Sequence, residues 1–324
     1  MKKIVITASL PGEAVNKLKE KFRVKIFPQK KCLSKDQLIR LLKDADGAIT
    51  LLSDLLTSDV LEKTKLKIIS NYAVGYNNID IEYATEKGIV VTNTPDVLTD
   101  ATADLTLALI LATARRIVES DKFLRSGGFK GWLPQLLLGV DLKGKTLGII
   151  GMGRIGKAVA RRAKAFGLEI IYNQRKKLIQ SEEDALCAKF SPLEELLKKS
   201  DIVSLHCPLT KETNKLFDRE RIFSMKKGAI LINTSRGAVV DEEALCEALQ
   251  AHLFSAGIDV YENEPEINPK LLKLKNVILL PHIGSAGKET RETMAEMAVS
   301  NILAFFEGKV PPNIIPEQKD IIKF

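Results

Sequence analysis

The chain has 324 residues, 45% of them hydrophobic, and a formal net charge of +8; that length suggests about two domains with a sizeable core. Cys32, Cys187, Cys207 and Cys246 form no CxxC pair, so neither a metal site nor a disulfide framework is indicated, and the lysines are scattered without interleaved aromatics, which argues against nucleic acid and for a solvated surface that steers anionic substrates. Pro11 and Gly12 interrupt the first strand too early for a signal-peptide core, and the longest apolar run, Ala101–Ala114, contains Asp104 and is too short for a bilayer, so the expectation is a protein of the reducing cytoplasm with no membrane partner.

Residues 1–100 alternate strands and helices. Strands are expected over Lys3–Ala8, Val24–Phe27, Gly47–Leu52, Leu66–Ser70 and Ile89–Asn93. Helices are expected over Pro11–Lys21, Ser34–Lys43 with Ser34 as N-cap, Ser58–Thr64, and Ile81–Lys87 closed by Gly88. Such alternation implies a parallel sheet with helices on both faces. No glycine-rich phosphate loop occurs here. The strand ends instead deliver Leu51-Leu52-Ser53 and Asn71-Tyr72-Ala73-Val74-Gly75, and ligands of open α/β sheets bind beyond strand C-termini. Both are therefore candidate site segments as well as ordinary loops.

Residues 100–126 read as one long helix opening on the capping signal Thr99-Asp100-Ala101-Thr102. Its first half is apolar nearly all round, which suits a domain core or a subunit interface. The glycine-rich stretch Ser126–Gly139 carries the only tryptophan, Trp132, and reads as a surface loop or an arm that reaches a partner.

The stretch Thr146–Ile150 reads as a buried strand and residues 154–166 as a helix, with Gly151, Gly153 and Gly156 between them in the spacing G-x-G-x-x-G. The first glycine permits a tight turn, the second lets a pyrophosphate approach the backbone, and the third lets helix and strand pack closely. Phosphates then sit at a helix N-terminus, where free N–H groups and the dipole favour anions. A glycine turn alone is weak evidence. The strand before it, the helix after it and a second strand at Leu168–Tyr172 make dinucleotide binding the preferred reading. Further elements are expected at Pro192–Lys199 (helix), Asp201–His206 (strand), Arg219–Phe223 (helix), Ala229–Asn233 (strand), Asp241–Ala251 (helix), Ser255–Val260 and Val277–Leu280 (strands). An amphipathic helix over 287–307 and an extended tail, Pro311–Phe324, complete the chain.

A nicotinamide cofactor carries only hydride, so the protein must supply the proton, and histidine suits that task near neutral pH. Of the three histidines, His252 sits near a helix end, whereas His206 and His282 both follow a buried strand. Pro281 fixes the backbone before His282, which makes His282 the first candidate and His206 the second. A 2-oxo acid needs a cation, and an arginine fork matches a carboxylate better than a lysine. Arg236 leaves a buried strand into the polar turn Asn233-Thr234-Ser235-Arg236-Gly237. The acidic turn Asp259-Val260-Tyr261-Glu262-Asn263-Glu264-Pro265 offers carboxylates to orient the histidine.

At these residues the chain resembles the D-isomer-specific 2-hydroxyacid dehydrogenases, with its closest likeness to the glyoxylate/hydroxypyruvate reductases. The likeness runs through Asn71–Asp80, Thr94–Asp104, the glycine fingerprint, Asn233–Gly237 and Pro281–Ala286, in the family's order. It implies two open parallel-sheet α/β domains with a cleft between them. One is a Rossmann dinucleotide-binding domain over residues 99–288; the other is a discontinuous, flavodoxin-like substrate-binding domain over 1–98 plus 289–324. His282 is then the general acid, Glu264 holds its imidazole, and Arg236 binds the substrate carboxylate and carbonyl oxygen. The N–H groups of Val74 and Gly75 hold the carboxylate and Leu52 forms part of the pocket. Thr102, Arg154 and Ile155 touch the cofactor phosphates, and Thr234 and Asp259 hold the nicotinamide ribose and carboxamide. Asn173, Gln174, Arg175, Cys207, Pro208, Thr213, Ser235, Gly284 and Ser285 complete the implied cofactor contacts, to which Arg236 and His282 also belong. The resemblance further implies a homodimer through the long helix and its following loop, with Trp132 matching a residue that reaches the partner's active site.

Two departures carry information. NAD enzymes end the second Rossmann strand with an acid that binds the ribose 2′-OH. This chain has Tyr172-Asn173-Gln174-Arg175-Lys176-Lys177 there, which points to NADP(H), with NAD(H) possible. Phosphoglycerate dehydrogenases place arginine near the position of Leu51–Leu55, where this chain has apolar residues and Asp54. An unphosphorylated 2-oxo acid, glyoxylate or hydroxypyruvate, is expected. The alternatives are an NAD-dependent 3-phosphoglycerate or other D-2-hydroxyacid dehydrogenase, and a nucleotide-sensing corepressor, which the short tail disfavours.

Overall fold

In a computed structural model, which describes residues 1–28 and 32–321, the chain forms two units: Met1–Leu98 with Ser285–Phe324, and Thr99–Gly284. The first is built on five strands, β1 (Lys3–Ile6), β2 (Arg23–Ile26), β3 (Gly47–Thr50), β4 (Ile68–Asn71) and β5 (Val90–Thr92). All pair in parallel in the order β2-β1-β3-β4-β5, the flavodoxin-like arrangement. The connecting helices are α1 (Ala14–Lys19), α2 (Lys35–Leu42), α3 (Ser58–Leu61) and α4 (Ile81–Glu86). Ser34 caps α2 through a reciprocal capping box with Gln37. Because side chains alternate along a strand, β1 sends Val5 to one face and Ile4 and Ile6 to the other. Val5 packs with Leu38, Leu42 and Ile69. Ile4 and Ile6 pack with Leu18, Ala295, Ala298 and Ile302, the last three from the final helix of the chain, α12 (Lys288–Phe306).

The tail after α12 returns to β5. Asn93 N–H donates to Asn313 O (3.1 Å) and Ile315 N–H to Val91 O (3.1 Å). Fully buried Gln318 accepts from Val91 N–H (2.7 Å) and donates to Ile89 O (2.9 Å). The tail is not wholly extended: Pro316–Gln318 forms a 3₁₀ turn with proline at its start. The end of the expected extended stretch, residues 322–324, lies outside the described residues.

The second unit holds α5 (Thr99–Ala114), α6 (Ile117–Arg125), β6 (Thr146–Ile150), α7 (Arg154–Lys164), β7 (Glu169–Asn173), α8 (Gln180–Leu186), β8 (Ala188–Phe190), α9 (Leu193–Lys199), β9 (Ile202–Leu205), α10 (Arg219–Ser224), β10 (Ile230–Asn233), α11 (Glu242–Ala251), β11 (Ser255–Ile258) and β12 (Val277–Leu279). Its seven strands are parallel in the order β12-β11-β10-β9-β6-β7-β8, which reverses direction at β6/β9, the switch point where ligands of such sheets bind. β9 and β10 are buried throughout, as their continuous apolar runs require. No helix among the described residues is long and apolar enough to cross a membrane.

Three further features differ from expectation. The helix over 100–126 is two helices. Arg116 adopts a left-handed φ of 52°, and Val140 N–H takes Ala114 O (2.8 Å), the carbonyl that a continuous helix would give to residue 118. Gly139 makes this return possible, since a Cβ there would stand 2.3 Å from Ala114 O. The capping signal is displaced too, because α5 already includes Thr99. Finally, α8 and β8 were not anticipated: one is short and mostly polar, the other three residues long.

Candidate active site

The glycine turn joins β6 to α7 at the switch point. Gly151 has φ +94°, and a Cβ on it would meet the His206 carbonyl carbon at 2.7 Å. At Gly156 a Cβ would lie 2.2 Å from Gly151 O, so helix and turn meet backbone to backbone. Gly153 is the N-cap of α7; it places no side chain over the helix end, and nothing stands within 4 Å of where its Cβ would be. Arg154 and Ile155 open the helix. These residues fit a pyrophosphate, because a helix start with uncovered N–H groups favours an anion.

At the end of β7, Asn173 donates to Ser191 O (2.8 Å), and Gln174 accepts from Met152 N–H in the glycine turn (3.2 Å) while donating to Lys176 O (2.6 Å). Gln174 thus braces the turn. Lys177 pairs with buried Glu183 (3.3 Å), and Arg175 and Lys176 are exposed. After β9, Thr213 donates to Pro208 O (2.6 Å) and shapes that loop; the Cys207 side chain is buried, its thiol pushed up to about 11 by burial. Thr102 donates to Gly284 O (3.1 Å), and Thr234 shares a hydrogen bond with Thr106 (2.9 Å).

His282, Glu264 and Arg236 come from three connections of one sheet and form a cluster. His282 Nδ1 lies 2.8 Å from Glu264 Oε2, and each side chain is about one-third exposed (32% and 34%). Glu264 Oε1 accepts from Tyr261 N–H (3.0 Å). Burial works against the Glu264 charge, but the His282 hydrogen bond and charge, the Tyr261 N–H and the Arg236 guanidinium outweigh it and hold the carboxyl below its ordinary value. Arg236 sits on a turn folded by Asn233, whose amide accepts from Ser235 N–H (3.0 Å) and donates to Arg236 O (3.0 Å). Its guanidinium donates to Ser235 O (2.6 Å); burial lowers its pKa and the Glu264 charge opposes that.

Asp259, assigned above to the nicotinamide, has both oxygens engaged: Oδ1 accepts from Ile283 N–H (2.7 Å) and Oδ2 from Gly284 N–H (2.8 Å). Burial raises its pKa despite those bonds. His206, the second histidine candidate, differs from His282. Its Nε2 bonds to Ser204 Oγ (2.8 Å), and burial drives its pKa down to about 3, so the ring is neutral at working pH. His252 stacks on Phe223 and bonds to Met225 O (2.8 Å), a packing role.

In the first unit, Leu52 follows β3, and Val74 and Gly75 follow β4. Ser285 opens the second stretch of that unit. The β3 and β4 loops are tied together by residues that received no role from the sequence. Asn71 donates to Gly75 O (2.9 Å), Asn78 donates to Leu51 O (3.1 Å) and Asp54 O (3.0 Å), and Asn93 donates to Val74 O (2.8 Å). Asp54 is fully buried, accepting from Thr7 Oγ1 (2.5 Å) and Leu51 N–H (2.8 Å). Its carboxylate braces a loop and is not presented to a ligand. The signal for Asn71 and Asn93 was a polar side chain at or next to the end of a buried strand; Asn78 and Asp54 lie within loops and gave no such signal. Trp132 is 80% exposed, on the loop after α6.

A model of the D-isomer specific 2-hydroxyacid dehydrogenase NAD binding domain matches residues 107–284. A glyoxylate reductase from Thermococcus litoralis is 50% identical over 326 residues, covering 99% of this chain and 98% of that protein. A solved structure of a protein from Thermus thermophilus has a TM-score of 0.90 at 50% identity and covers 97% of this chain and 99% of its own. The structure of an NADPH-dependent glyoxylate/hydroxypyruvate reductase from Sinorhizobium meliloti, in complex with NADP and malonate, has a TM-score of 0.85 at 33% identity, with coverage of 98% and 97%.

Proposed function

The chain belongs to the D-isomer-specific 2-hydroxyacid dehydrogenase family, and we propose that within it this protein is an NADPH-preferring reductase of glyoxylate or hydroxypyruvate, forming glycolate or D-glycerate. Membership brings a nicotinamide cofactor and a small 2-oxo or 2-hydroxy acid substrate. The observation that carries the reading is the His282–Glu264 pair beside Arg236, at strand ends of the sheet that bears the glycine turn.

The reduced nicotinamide supplies hydride to the keto carbon when bound. His282 donates a proton to the oxygen that becomes the hydroxyl, while Glu264 holds Nδ1–H and leaves Nε2 to face the substrate. Arg236 binds the carboxylate and the carbonyl oxygen, where its charge stabilises the developing alkoxide. Val74 and Gly75 N–H groups and Leu52 are assigned to the carboxylate and the small acyl group. The NADPH preference is supported by the absence of an acid at the end of β7 and by Arg175 and Lys176, which offer a 2′-phosphate two cations. Selection against a phosphorylated substrate rests on Leu51, Leu52 and Leu55, not on Asp54, whose charge is turned inward.

A homodimer is also proposed. Exposed Ile117, Leu124, Phe129, Trp132 and Leu133 crowd α6 and its loop, an apolar surface of the kind a partner subunit covers.

Absorbance at the reduced-nicotinamide band tests the reading, with glyoxylate, hydroxypyruvate, pyruvate and 3-phosphohydroxypyruvate against NADPH and NADH. Glyoxylate or hydroxypyruvate with NADPH should give the highest kcat/KM, and His282→Ala should lose about 10²–10⁴-fold. A higher kcat/KM for 3-phosphohydroxypyruvate or for NADH would remove the corresponding half of the proposal.

A further inference from the structure

We propose that Tyr261 is a positioning residue whose hydroxyl holds the His282 segment against the turn that carries Glu264; this rests on the catalytic reading above. Tyr261 touches Glu264 and the chain beside the other two members of the cluster. Its backbone lies against Gly237, the residue after Arg236, where a Cβ would come within 1.8 Å of the Tyr261 carbonyl carbon. Its N–H donates to Glu264 Oε1 (3.0 Å), the oxygen that His282 does not use. Its hydroxyl donates to Leu280 O (2.9 Å), two residues before His282.

The tether matters because of the backbone it holds. His282 has a left-handed φ of 53°, unfavourable for a residue with a Cβ and kept only where its surroundings over-determine it. Asp259 fixes the two N–H groups after His282 and Tyr261 fixes the carbonyl of Leu280, two residues before it. The charged groups around this junction are Glu264, Asp259, Glu242 and Arg236. Burial and the Asp259, Glu264 and Glu242 carboxylates push the phenol up to about 12, so it stays a donor at working pH. The Tyr261 ring packs in the core. Phenylalanine would fill that space equally and lose only the tether, so the hydroxyl acts on alignment and not on packing.

Tyr261→Phe in the full-length protein is the test. Without substrate, the His282 Nδ1 proton shared with Glu264 should give a downfield NMR resonance, assigned by its loss in His282→Ala. In Tyr261→Phe this resonance should broaden or vanish. The value of kcat should fall by about three- to tenfold, the scale of one hydrogen bond, with KM for glyoxylate and for NADPH within about twofold. In a Glu264→Gln background the same substitution should add little, since both act through one pair. An unchanged resonance in Tyr261→Phe overturns the proposal, whether activity holds or falls together with thermal stability and NADPH binding. If the wild-type protein reduces no 2-oxo acid, the catalytic reading fails instead, and the resonance still decides the role of Tyr261.

Discussion

Glu264→Gln keeps a neutral acceptor near His282 Nδ1 and removes the charge now 2.8 Å away. A hydrogen bond to a charged group contributes about 1.5–3 kcal/mol and a neutral one about 0.5–1.5 kcal/mol, so the substitution forfeits about 1–1.5 kcal/mol. The two side chains are 32% and 34% exposed, and solvent screening favours the lower figure, about 1 kcal/mol. The sign follows from which form the carboxylate favours. A negative charge beside the ring favours the proton-bearing donor needed for reduction, and a neutral amide does not. The value of kcat/KM for glyoxylate should therefore fall by about fivefold at neutral and higher pH, with a smaller loss in mild acid. On the acid side, Glu264 in the wild type is held below its ordinary 4.5, so the charged pair persists through mild acid and is lost only as pH falls through that depressed value. Initial rates across a pH series, wild type beside variant, give the answer. A loss equal at every pH, or one greater in acid, refutes the electrostatic role and leaves Glu264 with steric orientation alone.

Three further outcomes are expected. Arg175→Ala should lower kcat/KM for NADPH by about tenfold or more, one charge-assisted contact, and leave NADH within about threefold; equal losses with both cofactors would show that Arg175 does not read the 2′-phosphate. His206→Gln should leave the shape of the pH–rate profile unchanged, because the native ring, with a pKa of about 3, does not titrate in the working range; a displaced limb would return His206 to the list of proton donors. Leu124→Glu with Leu133→Glu, both on exposed apolar positions, should convert a dimer to a monomer in light scattering; a wild-type monomer, or a variant that stays dimeric, would dismiss that surface as the interface.

Most of the fold was legible because its strands are short apolar runs between turn residues. Ile230–Asn233 and Ile202–Leu205 are buried on both faces, and a sequence of that kind has few other ways to fold. Two features escaped for different reasons. The break at Arg116 follows no proline or glycine in the helix itself; its cause is Val140, well downstream, taking the Ala114 carbonyl. The short pair α8 and β8 is anchored by a tertiary bond, Glu183 accepting from Tyr172 Oη (2.8 Å), which no local periodicity reports.

The site divides along the same line. Gly151, Gly153 and Gly156 were readable because each answers to a local backbone demand, Arg236 because it leaves the buried strand β10, and His282 because it follows a strand, although β12 is an edge strand in which Ile278 alone is buried. Strand ends could not separate His282 from His206, since both satisfy that rule. What separates them is partner chemistry: Ser204 and burial silence one ring, while a carboxylate from a turn eighteen residues away holds the other. Asp259 makes the same point more sharply. A buried acid whose pKa burial has raised is costly unless its oxygens are satisfied, and here both are satisfied by the N–H groups that follow His282. The direction of the His282 ring is therefore set by Glu264 on the ring itself and through the main chain by Asp259 after it and Tyr261 before it. Side-chain packing cannot do this work at a ring left one-third exposed. Substitutions at either of those two residues should alter proton delivery without touching the imidazole itself.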